Sequence, residues 1–275
     1  YTAAYNADDP KIKLKIDHTY RVAALCERIA KASGMCAYDV ELAWLSGMLH
    51  DVGRFEQIKR YNTFSDADSV DHAKFGADLL FKDGLISTFL KGMVKCTGYK
   101  PGALEDRYGS DGVFLYDRLN KSDMEMLELA IRCHNMYRIP QGLNRREQAF
   151  CNVLRDADKV DIFKVNIDTP LEEIYNTTTE ELMKSDITDE VLKAFYEEHC
   201  ILKAIRRTPA DTVIGHVSLA YELVYDESVR ITVEQGYLGK LMHFHSDNEE
   251  TNRKMAMVRE KMDSYVKKRI GKKDA

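Results

Sequence analysis

The stretch SGMLHDVGRFEQ, Ser46 to Gln57, decides the reading of this chain. It ends an apolar run of Val40, Leu42, Ala43, Leu45, Met48 and Leu49, then sets His50 and Asp51 side by side. The run reads as a helix capped by Asp39 and stopped by Gly53. Two ionisable side chains at the end of a buried face carry a desolvation cost, so they need partners inside the fold.

Working outward, the 3.6-residue period recurs along most of the chain. His18 leads into Val22, Leu25, Cys26 and Ile29, and Gly34 closes that helix. A further helix is predicted from about Ser69 to Phe81, carrying His72, and others near 122–135 and 144–165. Residues 96–120 hold Gly98, Pro101, Gly102, Gly109 and Gly112 and read as the longest loop. After Pro170 come amphipathic segments that end in a long charged helix near 248–270. The fold class is therefore all-α: a helical core over 1–165 and a helical extension over 166–275 packed on it as one structural domain.

Composition narrows the function classes. The chain has 275 residues, 44% of them hydrophobic, which supports a sizeable core. Its net charge of −5 argues against a nucleic-acid polymer as partner, so an anionic ligand must be attracted locally. Six cysteines without a CxxC pair read as buried free thiols in a reducing compartment. No run reaches the length of a membrane span and no signal-peptide pattern opens the chain. These features point to a cytoplasmic protein without a membrane partner; they leave the oligomeric state open.

Four of the eight histidines fall on inward faces: His18, His50, His72 and His134. Each alone reads as a satisfied core histidine. Four together, beside Asp51, make a metal site the better reading, and imidazole with carboxylate suits Fe, Mn, Co or Zn more than Mg alone. A further carboxylate is expected in RDADKVDIF, Arg155 to Phe163. With Phe150 at zero, Asp158 lies at about 80° and Asp156 at about 240° on the helix. Asp158, on the edge of the buried face, is the better ligand. Asp161 is placed to bond a ligand imidazole, and Asp156 reads as a solvated surface charge.

The order His18, His50-Asp51, Asp158 resembles the HD-domain superfamily of metal-dependent phosphohydrolases, across roughly residues 12–165. LHDVGR and ADKVDIF both look like its motifs, and the second resembles the Asp-Lys-x-Asp segment of deoxynucleotide triphosphohydrolases. The resemblance implies an HD-type helical bundle. By analogy with members that carry two extra histidines, it also implies two divalent cations. Asp51 would bridge them, with His18, His50 and Asp158 on one and His72 and His134 on the other. HAKFGADLL, His72 to Leu80, resembles a helix of the cyclic-dinucleotide phosphodiesterase branch. That branch follows its next histidine with a second one and a Gly-Tyr-Pro loop. Here Asn135 follows His134, and Arg138-Ile139-Pro140 stands near the loop position. The analogy therefore stops short of a third ion and of cyclic di-GMP.

The implied activity is hydrolysis of a nucleotide or other small phosphate ester by metal-activated water. Asp51 is then a catalytic centre as well as a ligand. Arg54 and Lys159 are candidate phosphate contacts, with an ordinary surface cation as the competing reading of each. Di-iron oxygenases of HD fold share the ligand order, so C–C or C–P cleavage with O2 is the alternative. A nucleotide-sensing module is the third. His243 and His245 read as solvated, Trp44 as packing, and Tyr99 and Tyr108 as possible base-stacking residues. Lys272 and Lys273 belong to a basic C-terminal end.

Overall fold

The computed structural model describes residues 1–95, 119–175 and 177–271. The expected loop over 96–120, with Tyr99 and Tyr108, lies outside the described residues save for its last two positions, and so do Cys96, Lys272 and Lys273. All regular secondary structure among the described residues is helical. The chain divides into two compact units, Tyr1–Arg155 and Asp156–Ala275. The boundary expected at 165 falls inside an unbroken helix, Arg145–Asp168.

In the first unit, α1 (Pro10–Ala32) and α2 (Ala37–Leu49) form a closely packed hairpin. Asp9 starts α1 by accepting a hydrogen bond from the Lys11 N–H, with Pro10 in the first turn. α2 starts without a side-chain cap. Asp39 sits inside its first turn, where Arg146 grips its carboxylate at 2.7 Å. The two helices meet at Gly47, where a Cβ would stand 2.6 Å from the Ala23 Cα. Only a residue without a side chain permits that approach, which brings the C-terminal end of α2 alongside the His18 turn of α1.

α2 ends at Leu49, His50 follows with helical dihedrals, and Asp51 breaks the run before α3 (Val52–Tyr61) begins. Gly53 therefore does not stop α2. It lies in the first turn of α3, where a Cβ would stand 2.3 Å from the His72 carbonyl oxygen and 2.7 Å from the Gly76 nitrogen. The glycine lets α3 pack onto α4 (His72–Ala77), a helix shorter than expected that continues as a π-helical turn, Asp78–Lys82.

α5 spans Leu85–Lys95, α6 Lys121–Cys133 and α7 Arg145–Asp168. α6 opens with a capping box between Asn120 and Asp123. Arg146 of α7 reaches both Asp39 and Asp123, at 2.7 and 2.8 Å, and so ties α2, α6 and α7 together. The core beneath them holds Val22, Cys26, Ile29, Leu42, Leu45, Leu127, Ile131, Phe150 and Leu154.

The second unit contains the rest of α7 and α8 (Leu171–Tyr175), α9 (Thr179–Lys184), α10 (Asp189–Tyr196), α11 (Pro209–Val217), α12 (Asp226–Gln235), α13 (Tyr237–Met242) and α14 (Glu249–Ile270). It has its own apolar core, with Phe163, Leu182, Val191, Phe195, Ile214, Val258 and Met262 fully enclosed. Capping boxes at Thr178/Glu181 and Thr208/Asp211 start α9 and α11. Cys26, Cys133, Cys151 and Cys200 are buried free thiols, as expected; Cys36 is also free, but exposed. No described helix is long and apolar enough to cross a membrane.

Candidate metal centre

His18, His50, Asp51, His72 and His134 converge in the first unit, and none is more than 4% exposed. The five come from four places in the chain: mid-α1, the α2–α3 break, the start of α4 and the end of α6. The Asp51 carboxylate divides the imidazoles into two pairs. Its Oδ2 lies 3.5 Å from His18 Nε2 and 3.6 Å from His50 Nε2. Its Oδ1 lies 3.5 Å from His72 Nε2 and 3.8 Å from His134 Nε2. Within the pairs, His50 and His18 approach Nε2 to Nε2 at 3.3 Å, and His72 and His134 at 3.1 Å.

The outer ring nitrogens explain why those contacts need a cation. His50 ends α2, and its Nδ1 faces the Gly47 carbonyl three residues back, at 2.7 Å. His134 ends α6 and uses the Ile131 carbonyl in the same way, at 2.7 Å. His72 Nδ1 faces Asp66 Oδ2 at 2.6 Å. Each of these Nδ1 atoms has an acceptor as its partner and so carries the proton. A neutral ring then presents a bare lone pair at Nε2. Between His72 and His134 two such lone pairs face one another, which repels unless positive charge lies between them. Imidazole nitrogens and carboxylate oxygens are the donors that divalent transition metals prefer. The ligand atoms of His50, Asp51 and His134 lie within 4.8 Å of one another, so the residues present fit a divalent cation.

Electrostatics agree. Burial would raise the Asp51 pKa, but Lys15, His50, His72 and Arg54 outweigh it and hold the carboxyl well below its usual range. Burial drives His72 down to about 4, against the pull of Asp66, which keeps its ring neutral at physiological pH. Asp66, also part-buried, is nevertheless held low by its hydrogen bond with His72 and by the Arg54 charge.

Three contributors were not foreseen from the sequence. Lys15 places Nζ 2.7 Å from Asp51 Oδ2. It lies three residues before His18 on α1, a spacing that puts both on one helix face and was the available signal. Asp66 stands on the loop between α3 and α4, where no periodicity marks it. Arg155 donates to the carbonyls of Cys133, Met136 and Tyr137, and so anchors the chain where α6 delivers His134.

The candidate phosphate contacts fare differently. Arg54 Nη1 donates to Asp66 Oδ1 at 2.8 Å, Gln57 Oε1 at 2.8 Å and the Phe64 carbonyl at 2.6 Å. A phosphate approaching Nη1 would compete with these partners. Asp158 and Lys159 are half-buried on α7, within the second unit, and Asp161 is buried there.

Asp156 corrects the sequence reading. It is fully buried, not solvated. It accepts hydrogen bonds from the Val224 and Tyr225 N–H groups at 2.9 Å and from the Ser228 hydroxyl at 2.7 Å. α12 begins beside Tyr225 with no cap of its own, so Asp156 caps it from another helix. The helical wheel assumed one buried face, whereas residues 224–228 cover the opposite side of α7. His243 and His245 are exposed, as expected.

The sequence pattern of the HD domain family matches residues 16–163, more than half of the chain. The chain belongs to the HD domain family. The match contains all four clustered histidines and Asp51, and membership brings with it a metal-dependent, hydrolase-like superfamily. No curated protein and no solved structure matches the chain.

Proposed function

We propose that this HD-domain protein is a metal-dependent phosphohydrolase acting on a nucleotide or another small phosphate ester. The observation that carries the reading is the division of four inward Nε2 atoms between the two oxygens of Asp51. That division suits two divalent cations sharing one carboxylate, with Fe, Mn, Co or Zn favoured by the donors and Mg possible. His18 and His50 would hold one and His72 and His134 the other. On sequence order and the extent of the family match, Asp158 would serve as a further metal ligand and Lys159 as a phosphate contact. When bound, such ions act as Lewis acids and supply an activated water near neutral pH.

The chain's own groups have separable roles. Asp51, kept ionised, balances positive charge at the centre. Carbonyl and carboxylate acceptors at Nδ1 fix three of the rings with Nε2 inward. Burial keeps bulk water from competing for those nitrogens. Lys15, already beside Asp51 Oδ2, is a cation at the edge of the cluster and suits an anionic ester oxygen. The overall charge of −5 favours a small substrate over a nucleic-acid polymer.

The test is metal analysis of untreated protein, followed by a panel of nucleotides and phosphate esters assayed for phosphate release and O2 uptake. Metal-dependent phosphate release that vanishes in Asp51→Asn supports the proposal. Release that survives complete metal removal contradicts it, as does O2 consumption with substrate oxidation and no hydrolysis.

A further inference from the structure

We infer that Asp66 is the positioning residue for His72, and that it strengthens metal binding on the His72–His134 side of the centre. The inference rests on the proposed metal site and reaches beyond it to a residue outside the ligand set.

The position of each histidine on its helix decides what its Nδ1 can reach. His50 and His134 each follow the last residue of a helix, so a carbonyl three residues back lies beneath the ring and accepts the Nδ1 proton. His72 is the first residue of α4. No helical turn precedes it, so no such carbonyl is in reach, and a ring left alone could place its proton on either nitrogen. Asp66 supplies the missing acceptor from the α3–α4 loop, at 2.6 Å.

Asp66 is itself held in place. Its Oδ1 accepts from Arg54 Nη1 at 2.8 Å and from Gln57 Nε2 at 3.0 Å, while Oδ2 faces His72. Gln57 also donates to Ser69 Oγ at 2.8 Å and to the Val70 carbonyl at 3.0 Å, which ties the loop to α3. Arg54 therefore orients the carboxylate that orients His72. A charged acceptor raises the donor strength of an imidazole more than a neutral carbonyl does, and outer partners of this kind are worth about 10- to 100-fold in metal affinity.

A competing arrangement has to be separated. Asp66, Asp71 and His72 also bring ligand atoms within 4.8 Å of one another, so an outer cation held by these three would equally involve Asp66. Asp71 distinguishes the two. It caps α4 through the Lys74 N–H and accepts from Asn135 Nδ2 at 2.9 Å, an amide that also reaches Asp66 Oδ2 at 3.4 Å; Asp66, not Asp71, bonds the His72 ring. Asp71→Asn keeps a capping side chain while removing a carboxylate.

The experiment titrates Mn2+ into metal-stripped wild type, Asp66→Asn and Asp71→Asn, reading stoichiometry and affinity. Thermal unfolding in chelator serves as the folding control. In the same metal-free proteins, 15N NMR reads which nitrogen of His72 carries the proton. The expected result is a rise of about 10- to 100-fold in the dissociation constant of one Mn2+ class in Asp66→Asn only. His72 should be protonated at Nδ1 in wild type and lose that preference in Asp66→Asn. Unchanged affinity in Asp66→Asn overturns the inference, and so does equal weakening in Asp71→Asn. If wild type takes up no Mn2+, the proposed function fails separately, and the His72 tautomer decides alone: an Nδ1 proton that is indifferent to Asp66 overturns the positioning role.

Discussion

Two buried aspartates, Asp51 in the first unit and Asp156 in the second, show how the same side chain is put to different ends. Both are enclosed, at 3% and 0% exposure. Asp51 is ringed by groups that carry or attract positive charge, and its pKa is driven down despite burial. Asp156 is ringed mainly by neutral donors. Burial raises its pKa, with the Tyr225 and Val224 N–H groups, the Ser228 hydroxyl and Lys159 only partly offsetting the cost. A carboxylate among imidazoles is a place for a cation. A carboxylate among backbone N–H groups is a cap, and its work is done once the helix is formed.

The largest effect that separates the two is on metal binding. Asp51→Asn should reduce affinity by more than the roughly 100-fold typical of an outer partner, because it removes the group proposed to bind the ions directly. Equilibrium dialysis checks this, and Asp156→Ala should leave bound metal unchanged. Asp156→Ala should instead lower unfolding free energy by about 3 kcal/mol, since it strands buried donors that cost about 1–3 kcal/mol each when unpaired. Urea melts followed by circular dichroism provide that reading.

A smaller effect is expected where α3 crosses α4. Gly53→Ala forces a methyl into the His72 carbonyl, so it should destabilise by about 1–3 kcal/mol and weaken metal binding together. Loss of stability with undiminished metal affinity would uncouple the α3–α4 crossing from the placement of His72.

The subtlest test uses pH within the second unit. Burial, helped by the Arg206 and Lys203 charges, lowers His216 from its ordinary value near 6.5 to about 3. The unfolded chain then binds the proton first, so this group's stability is complete above about 6.5 and is lost as pH falls toward about 3. Asp156 has the opposite sign: its folded pKa is raised, so acidification through that value favours the folded state. His216→Gln should flatten the acid-induced loss, and Asp156→Asn should deepen it. Urea midpoints measured from pH 7 to pH 4 compare the slopes.

Much of this was legible in sequence because helices repeat. The inward phases of His18, His50, His72 and His134 follow from local periodicity, and the His50-Asp51 pair marks the break that lets both face inward. What escaped depends on partners distant in the chain. Asp66 acts from a loop with no period to read. Arg54 looked like a free cation until the loop carrying Asp66 and Phe64 folded back onto it. Asp156 was misassigned because a wheel drawn for one apolar stripe fails on a helix covered on both sides. Gly53 resembled a helix stop, whereas its role is the closeness of α3 to α4, a tertiary fact.

The central claim is that the lone pairs of His72 and His134, facing across 3.1 Å, exist to hold a cation with Asp51. Anomalous scattering from crystals soaked in Mn2+ tests it most directly. A peak is expected at coordination distance from both Nε2 atoms and from Asp51 Oδ1, with a second on the His18–His50 side. Density free of any anomalous peak at the cluster under saturating Mn2+, with the five side chains unmoved, would contradict it.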